Sequence, residues 1–560
     1  MRVVVDLARC QGYGQCVFLA PEVFSMDGEE ALFYDLGPDE AQRTKVLRAA
    51  AACPVQALQV EGKDVEPGRA SHDEAREDRA ADRGSDRVFL RSGRVVVVGA
   101  SLAGLRGAEM LRAEGFEGSL TVIGDEPYEP YDRPPLSKQV LAGRIPADGT
   151  ALPRLRDIAA TWRLGTAATG LDMMAKRVLL ADGQEVPFDR LLIATGVRAR
   201  PWPDEDEAAL EGVISVRTRD DGARLRELVA AGPRRVLIIG AGFAGSEAAS
   251  VCRSLGLPVT VVEAGDAPLV GALGSVVGRI AAGLQREHGV DLRCGVTVTS
   301  LDGDPAGRLR RAHLSDGSVL DVDVAVAALG GIRNVEWLRG SGLAAGVWGV
   351  ACDAGCRAFD VNGLVTDDVF VAGDVARAPH PLFGYEFLAL EHWGNAVAEA
   401  EIAAHNMVHA ETGRWPHLAV PEFWSSQFGV NIKSVGVPSL ADEVVVTQGS
   451  VESRRFVAAY GFQGRIIGAV SFDHALWLDF YKDLIEEAAP FPPAFPMVGG
   501  DGMRATPAGF PAPSVPTHDA TVVVTGHEPS ERRAAYVRQR RDASPTPLRA
   551  FRQAQPRKPG

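Results

Sequence analysis

The sequence predicts a multidomain protein: a small α+β unit, a long α/β body with two dinucleotide-binding turns, and a C-terminal α+β unit. Three observations point there. The 560 residues exceed what a single hydrophobic core organises. From Arg94 onward, apolar strands alternate with helical stretches, the pattern of α/β architecture. A strand–glycine turn–helix arrangement occurs twice, in RVVVVGASLAG and RRVLIIGAGFAGSEAAS.

Along the chain, residues 1–62 read as a compact acidic unit. Residues 63–92 read as a charged linker, dominated by KDVEPGRASHDEAREDRAADRGSDR. The first dinucleotide domain is expected in two parts, 93–200 and 333–408, with the second inserted at 201–332. A mixed α+β domain covers 409–490. The Pro/Arg-rich tail, 491–560, lacks core-forming periodicity apart from TVVV and is expected to be disordered.

Hydrophobic residues make up 46% and charged residues 24%, ordinary for a globular protein. The net charge of -14 argues against a nucleic-acid partner and leaves room for docking to a basic protein face. The opening MRVVVD reads as a strand rather than a signal peptide, and no apolar run is long enough to span a bilayer. A cytoplasmic location with no membrane partner is expected. Seven cysteines in a reducing compartment point to metal or redox chemistry before disulfides.

In the first glycine turn, Gly99 makes the tight bend and Gly104 admits close helix packing, so the helix N-terminus faces a pyrophosphate. Ser101 replaces the middle glycine. Asp125 and Glu126 follow the next strand, where an acid accepts hydrogen bonds from a ribose. The second turn has the full set, Gly240, Gly242 and Gly245, and its next strand ends in Glu263. No arginine follows Glu263 closely, which favours NAD(H) over NADP(H).

Two further strands end in small-residue turns: FDRLLIATG (188–196), with Thr195 and Gly196, and VFVAGD (369–374), with Gly373 and Asp374. Bracketing the glycine turns, they resemble the two-dinucleotide-binding flavoproteins. PYDRPPLSK (130–138), EHWGNA (391–396) and FWSSQ (423–427) narrow the resemblance to the oxygenase-coupled NADH:ferredoxin reductases, over roughly residues 94 to 490. That resemblance implies FAD- and NAD-binding Rossmann-like domains. FAD would occupy the first site, touched by Gly99, Ser101, Ala103, Gly104, Asp125, Arg133, Lys138, Thr195, Gly196, Arg217, Gly373, Asp374, His392, Trp393 and Trp424. NADH would occupy the second, at Gly240, Gly242, Gly245, Glu263 and Gly331. Lys138, paired with Glu247, is the implied catalytic pair, since a lysine beside the flavin stabilises negative charge on its reduced form. The family has an acid where Ser426 stands.

Disulfide reductases share this architecture but carry a reactive cysteine pair soon after the FAD motif. None lies between Gly104 and Lys138, and Cys252, Cys294, Cys352 and Cys356 read as unreactive thiols. The first unit, with CQGYGQC and a remote Cys-Pro, resembles the small ferredoxins that serve bacterial cytochromes P-450. Its implied cluster ligands are Cys10, Cys16 and Cys53. Tyr13 stands where a four-cysteine set has its extra ligand, which implies a 3Fe–4S cluster. The alternative is a 4Fe–4S cluster whose fourth iron takes Tyr13 or a solvent ligand. A structural zinc would be incomplete with three cysteines and no nearby histidine.

Together these features lead to an expected FAD-dependent ferredoxin–NAD(+) reductase fused to its own ferredoxin. Hydride passes from NADH to FAD, then single electrons pass through the cluster to an external oxygenase. A cytochrome P-450 is the expected acceptor, because Asp27, Glu29, Glu30, Asp35, Asp39 and Glu40 make the carrier acidic. The alternatives are a reductase component for a Rieske-type oxygenase, an NADH oxidase for small acceptors, and a redox-sensing interaction protein.

Overall fold

The four valines of RVVVV are buried, the environment of a central parallel strand. The structure, a computed structural model, describes residues 1–10, 12, 14–27, 31–53, 57–61, 88–493, 520–525 and 533–538. Arg94–Val98 lies inside a six-stranded sheet ordered Arg357–Phe359, Val365–Val371, Arg190–Ile193, Arg94–Val98, Ser119–Ile123, Thr161–Arg163. All neighbours are parallel except the first pair. The helix Leu102–Ala113 follows the first glycine turn, and the helix Trp393–Val408 packs against it.

A second sheet repeats the plan with five parallel strands: Val213–Ile214, Val324–Ala327, Val236–Ile239, Val259–Glu263, Asp291–Cys294. The chain crosses between the two halves twice. The crossing strands Val197–Ala199 and Gly331–Arg333 pair antiparallel, with Val197 opposite Arg333. A five-stranded antiparallel sheet follows, ordered Glu422–Gln427, Val430–Gly436, Arg465–Phe472, Arg455–Phe462, Glu443–Ser450, with the helix Leu478–Glu486 packed on it. Phe491, the first residue of the expected tail, is buried beside Gly461 and belongs to this domain's core.

At the N-terminus, Val3–Val5 pairs antiparallel with Leu58–Val60, so the ends of the small unit meet. The hairpin Phe24–Asp27 with Ala31–Tyr34 and the helix Arg43–Ala52 complete it. Its core residues Val3, Val46, Ala49 and Val60 belong to one apolar cluster with Val95, Leu105 and Leu120 of the first reductase domain. The small unit is therefore docked.

Two expectations change. The linker does not reach residue 92: residues 88–92 are helical, and Phe89 packs on Phe116 with ring centroids 5.4 Å apart, under the Arg190 guanidinium at 4.0 Å. The apolar Phe89 and Leu90 anchor a stretch whose charge dominates the sequence pattern. Residues 62–87 lie outside the described residues. In the tail, Ala520–Thr525 pairs antiparallel with Arg533–Arg538, because the β-branched run TVVV suits a pleated strand. The rest of the tail lies outside the described residues. Among the described residues, no helix is long and apolar enough to cross a membrane.

Candidate functional site

The first glycine turn closes as tightly as its sequence requires. Gly99 has φ 121°, and a Cβ there would stand 2.1 Å from the Ala194 carbonyl oxygen; one at Gly104 would stand 1.9 Å from the Gly99 oxygen. Only glycine fits either place. Beyond the turn opens a cavity of about 430 Å³, in the size range of cofactor sites. All residues expected to touch FAD line it, except Gly99 and Gly104, which form the bend itself.

The cavity's polar groups are fixed by partners on distant segments. The Lys138 ammonium lies 2.6 Å from Glu247 Oε2 and 4.9 Å from the Trp424 ring centre. Ser137 donates to the same carboxylate oxygen at 2.9 Å and Ser425 to the other at 2.7 Å. Arg217 pairs with Asp374 at 2.8 Å. Arg133 pairs with Glu126 at 2.6 Å and donates to the Arg217 carbonyl at 2.8 Å. Trp393 Nε1 donates to Asp132 Oδ1 at 2.9 Å. Burial raises Asp132 to about 6, against the lowering effect of the Trp393 bond and the Lys138 charge. Burial pushes His392 down to about 4, and its Nδ1 is buried without a hydrogen-bond partner. Ser426, in the place of the family's acid, donates to Asn431 Oδ1 at 3.2 Å and is not among the lining residues.

The donor set fits FAD. A glycine turn opens onto the cavity, a carboxylate held by arginine faces it, a lysine stands at its wall, and an orphaned imidazole nitrogen awaits a partner. The second turn has the same build: a Cβ at Gly240 would meet the Ala328 oxygen at 2.5 Å, and one at Gly245 the Gly240 oxygen at 2.1 Å. Gly242 faces open space, as close backbone approach to a pyrophosphate requires. Glu263 accepts from Ala241 N and Gly265 N, both at 2.7 Å, so two amides hold its carboxylate beside the turn. Gly331 sits on the crossing strand, where a Cβ would stand 3.1 Å from Val197 and 3.5 Å from Glu391 Oε2. Phe243 and Ala244, which open the second turn's helix, line the same cavity as Lys138.

The docked small unit reaches this cavity. Ala8, two residues before Cys10, is part of its wall. Lys433 donates to the Cys10 carbonyl, Arg106 Nη2 donates to Gln59 Oε1 at 2.6 Å, and the Arg144 guanidinium covers the Phe33 ring at 4.5 Å. The buried Asp6 carboxylate shapes the loop by accepting from Ala8 N and Arg9 N at 3.1 and 3.2 Å. Burial, then the neighbouring Cys10 charge, pushes the Cys16 thiol up to about 11, and Cys53 acts in the same direction. The three thiols thus lie near enough to influence one another through their charge. Their sulfurs do not all lie within 4.8 Å of each other, whereas thiolates sharing one zinc at about 2.3 Å stand roughly 3.8 Å apart. Three cysteine thiolates are the donor type that iron–sulfur clusters take. Tyr13 lies outside the described residues. Cys252, Cys352 and Cys356 are buried, and burial raises all three, as inert thiols require.

Sequence reasoning missed Glu399. It is buried, accepts from Gly373 N at 2.8 Å, and is raised to about 8 by burial. Its signal was the alanine-rich surround AEAEIAAH, which leaves that helix turn little polar face. Asp132 stood inside the quoted PYDRPPLSK without a role.

Three family models match the chain. One, described as pyridine nucleotide-disulphide oxidoreductase, matches residues 93–400; one, described as reductase C-terminal, matches 422–497; one, described as the 4Fe-4S single cluster domain of ferredoxin I, matches 5–60. Rhodocoxin reductase of Rhodococcus erythropolis is 35% identical over 385 residues, 67% of this chain and 86% of that protein. The ferredoxin–NAD(+) reductase component of a p-cumate 2,3-dioxygenase system from Pseudomonas putida is 34% identical over 345 residues, 61% of this chain and 81% of that protein. The crystal structure of the covalent putidaredoxin reductase–putidaredoxin complex is similar at a TM-score of 0.66 with 28% identity, over 71% of this chain and 94% of that one.

Proposed function

The chain belongs to the pyridine nucleotide-disulphide oxidoreductase family, and on that premise we propose that it is a ferredoxin–NAD(+) reductase working with its own fused ferredoxin unit. It oxidises NADH and delivers single electrons from a 3Fe–4S cluster to a cytochrome P-450. The observation that carries the coupling is the docked cysteine loop: Ala8 walls the cavity, and Lys433 of the C-terminal domain holds the Cys10 carbonyl.

Bound FAD supplies the conversion of a two-electron hydride into single electrons. The chain's own residues bind and orient. The N-terminus of Leu102–Ala113 faces the pyrophosphate position, and Asp374, fixed by Arg217, offers acceptors to sugar hydroxyls. Lys138 presents a positive charge at the cavity wall, and three donors hold Glu247 so that the lysine keeps its place. Glu263, bracketed by two amides, keeps lone pairs for ribose hydroxyls and repels a 2′-phosphate. Three cysteines, Cys10, Cys16 and Cys53, with Tyr13 in the place of a fourth, support the three-iron reading.

The P-450 reading rests on charge. Asp35, Asp39 and Glu40 are exposed on the small unit, although the N-terminal ammonium and Arg43 pair with Glu40. The side chain of Asp27 and all of Glu29 and Glu30 lie outside the described residues. An acidic carrier suits a basic oxygenase face and mainly raises the rate of encounter. A Rieske-type oxygenase is the second reading, favoured by the relative named for a dioxygenase system. Cys53→Ala tests the coupling. It is expected to lose the cluster and most cytochrome c reduction while keeping FAD and most ferricyanide reduction. Equal loss of both activities with FAD still bound would refute it. Reconstitution with NADH and a panel of both oxygenase types separates the acceptors.

A further inference from the structure

The C-terminal domain has an exposed face beside the docked cysteine loop. Trp424 and Lys433 are direct antiparallel partners, so their side chains share one face of the five-stranded sheet. Glu422, two residues before Trp424, shares it too. Trp424 lines the cavity, Lys433 donates to the Cys10 carbonyl, and Glu422 pairs with Lys482 of the helix Leu478–Glu486 at 2.6 Å. Glu422 and Lys433 are diagonal neighbours on the sheet, roughly 7–8 Å apart at strand spacing. The Glu422 charge also acts on Asp6 of the small unit. The cysteine loop and the helix Leu478–Glu486 therefore lie next to one another on the same face of the sheet.

The outward side of that helix is unlike an ordinary solvated surface. Leu476, Trp477 and Phe480 are 59%, 38% and 40% exposed. The Trp477 and Phe480 rings meet edge to face, with centroids 6.2 Å apart. Asp483 and Glu486 are exposed further along the helix, and Glu487 at its end. Lys482, the one base of the helix, is taken by Glu422. An aromatic patch rimmed by charge of one sign is the composition of a protein contact: the apolar part supplies the burial and the charge supplies the encounter. A second copy of this chain does not suit the face, because a net charge of -14 sets acid against acid.

We propose that this face, Leu476, Trp477 and Phe480 with the acids Asp483, Glu486 and Glu487, is where the electron acceptor docks, and that the acceptor is a haem protein presenting basic residues around an apolar contact. This rests on the reading of the chain as a relay to a cytochrome P-450. Seated there, the acceptor abuts the loop that contains Cys10. It is recognised by the reductase part of the chain and receives its electrons from the ferredoxin part, so the small unit need not leave its dock to meet it. Each acceptor haem takes one electron and goes from ferric to ferrous. Oxidation of one NADH to NAD(+) and a proton therefore reduces two acceptors.

Cytochrome c, a small basic haem protein, is the probe, and ferricyanide, a small anion that needs no docking face, is the control. The variants are Trp477→Ala and the double charge reversal Asp483→Lys with Glu486→Lys. Calorimetry of the oxidised full-length holoprotein with ferric cytochrome c at low salt is expected to give a Kd roughly tenfold weaker for the charge reversal, with the difference shrinking as salt is raised. Trp477→Ala weakens binding at low and high salt alike. The KM for cytochrome c rises in step in both variants, while kcat, ferricyanide reduction, and FAD and iron per chain stay at the wild-type level. Unchanged Kd and KM in both variants overturn the proposal; if Cys53→Ala still stops cytochrome c reduction, the relay stands without it. Tighter binding by the charge reversal also overturns it, and assigns the face to the chain's own Arg-rich tail. Cytochrome c reduction that survives in Cys53→Ala overturns the relay and the docking face together.

Discussion

Replacing Glu399 with glutamine separates the charge of that residue from its hydrogen bond. The glutamine oxygen still accepts from Gly373 N, where the carboxylate does so at 2.8 Å. Burial raises Glu399 from 4.5 to about 8, with Asn395 and the Gly373 amide opposing it and the Asp374 charge reinforcing it. The folded pKa lies above the unfolded one, so the folded state binds more protons between pH 4.5 and 8. Stability therefore falls as pH rises through that window. At about 1.4 kcal/mol per pH unit, the wild type loses on the order of 3 kcal/mol by pH 7 relative to pH 4.5 and somewhat more by pH 8. Glutamine cannot ionise and escapes that loss. The assay is the urea midpoint for flavin release, followed by fluorescence at pH 5, 6, 7 and 8. The two proteins should nearly coincide at pH 5, and the variant should pull ahead steadily toward pH 8. A gap that stays constant with pH, or widens toward acid, would refute the reasoning.

Asp374→Ala removes the partner of Arg217 and should lose FAD on dialysis, abolishing ferricyanide and cytochrome c reduction together. The kcat/KM for NADH should exceed that for NADPH by at least about tenfold, or roughly 1.4 kcal/mol, because of Glu263; equal values would sink that assignment, and Glu263→Ala with an added arginine nearby should erode the preference. Electron paramagnetic resonance of the oxidised protein should show the signal of a three-iron cluster, and Tyr13→Cys should shift the protein toward four-iron behaviour; silence when oxidised contradicts it. Electron delivery to the oxygenase should slow as added salt shortens the Debye length toward about 8 Å and below, and a rate indifferent to salt would rule out charge steering.

The parts of the site that were legible in the sequence are those a local backbone demand writes into it. Gly99 and Gly240 sit at φ 121° and 98°, conformations that only glycine enters freely, so the two turns could be read directly. Lys138 and Glu247, 109 residues apart, were joined through a family motif rather than any local rule. What escaped was set by tertiary placement. Glu399 reads as one acid among several on a helix, and packing of that helix against Val365–Val371 sets it on the Gly373 amide, where it is buried. The contact of Lys433 with Cys10 spans 423 residues and arises from docking of one domain on another, which no spacing encodes. The helix at 88–92 was hidden by its charged neighbours, and its role comes from the Phe116 ring it meets.

The antiparallel pairing of Val197–Ala199 with Gly331–Arg333 makes the nucleotide-reading half a cassette. Its entry and exit lie side by side, about 4.8 Å apart at strand spacing. Excision at this point would leave two ends that a short link could join without disturbing the six-stranded sheet. The same geometry lets one such cassette be exchanged for another. Coenzyme preference could then change in lineages of this fold as a unit, while the cavity and its docked partner stay as they are.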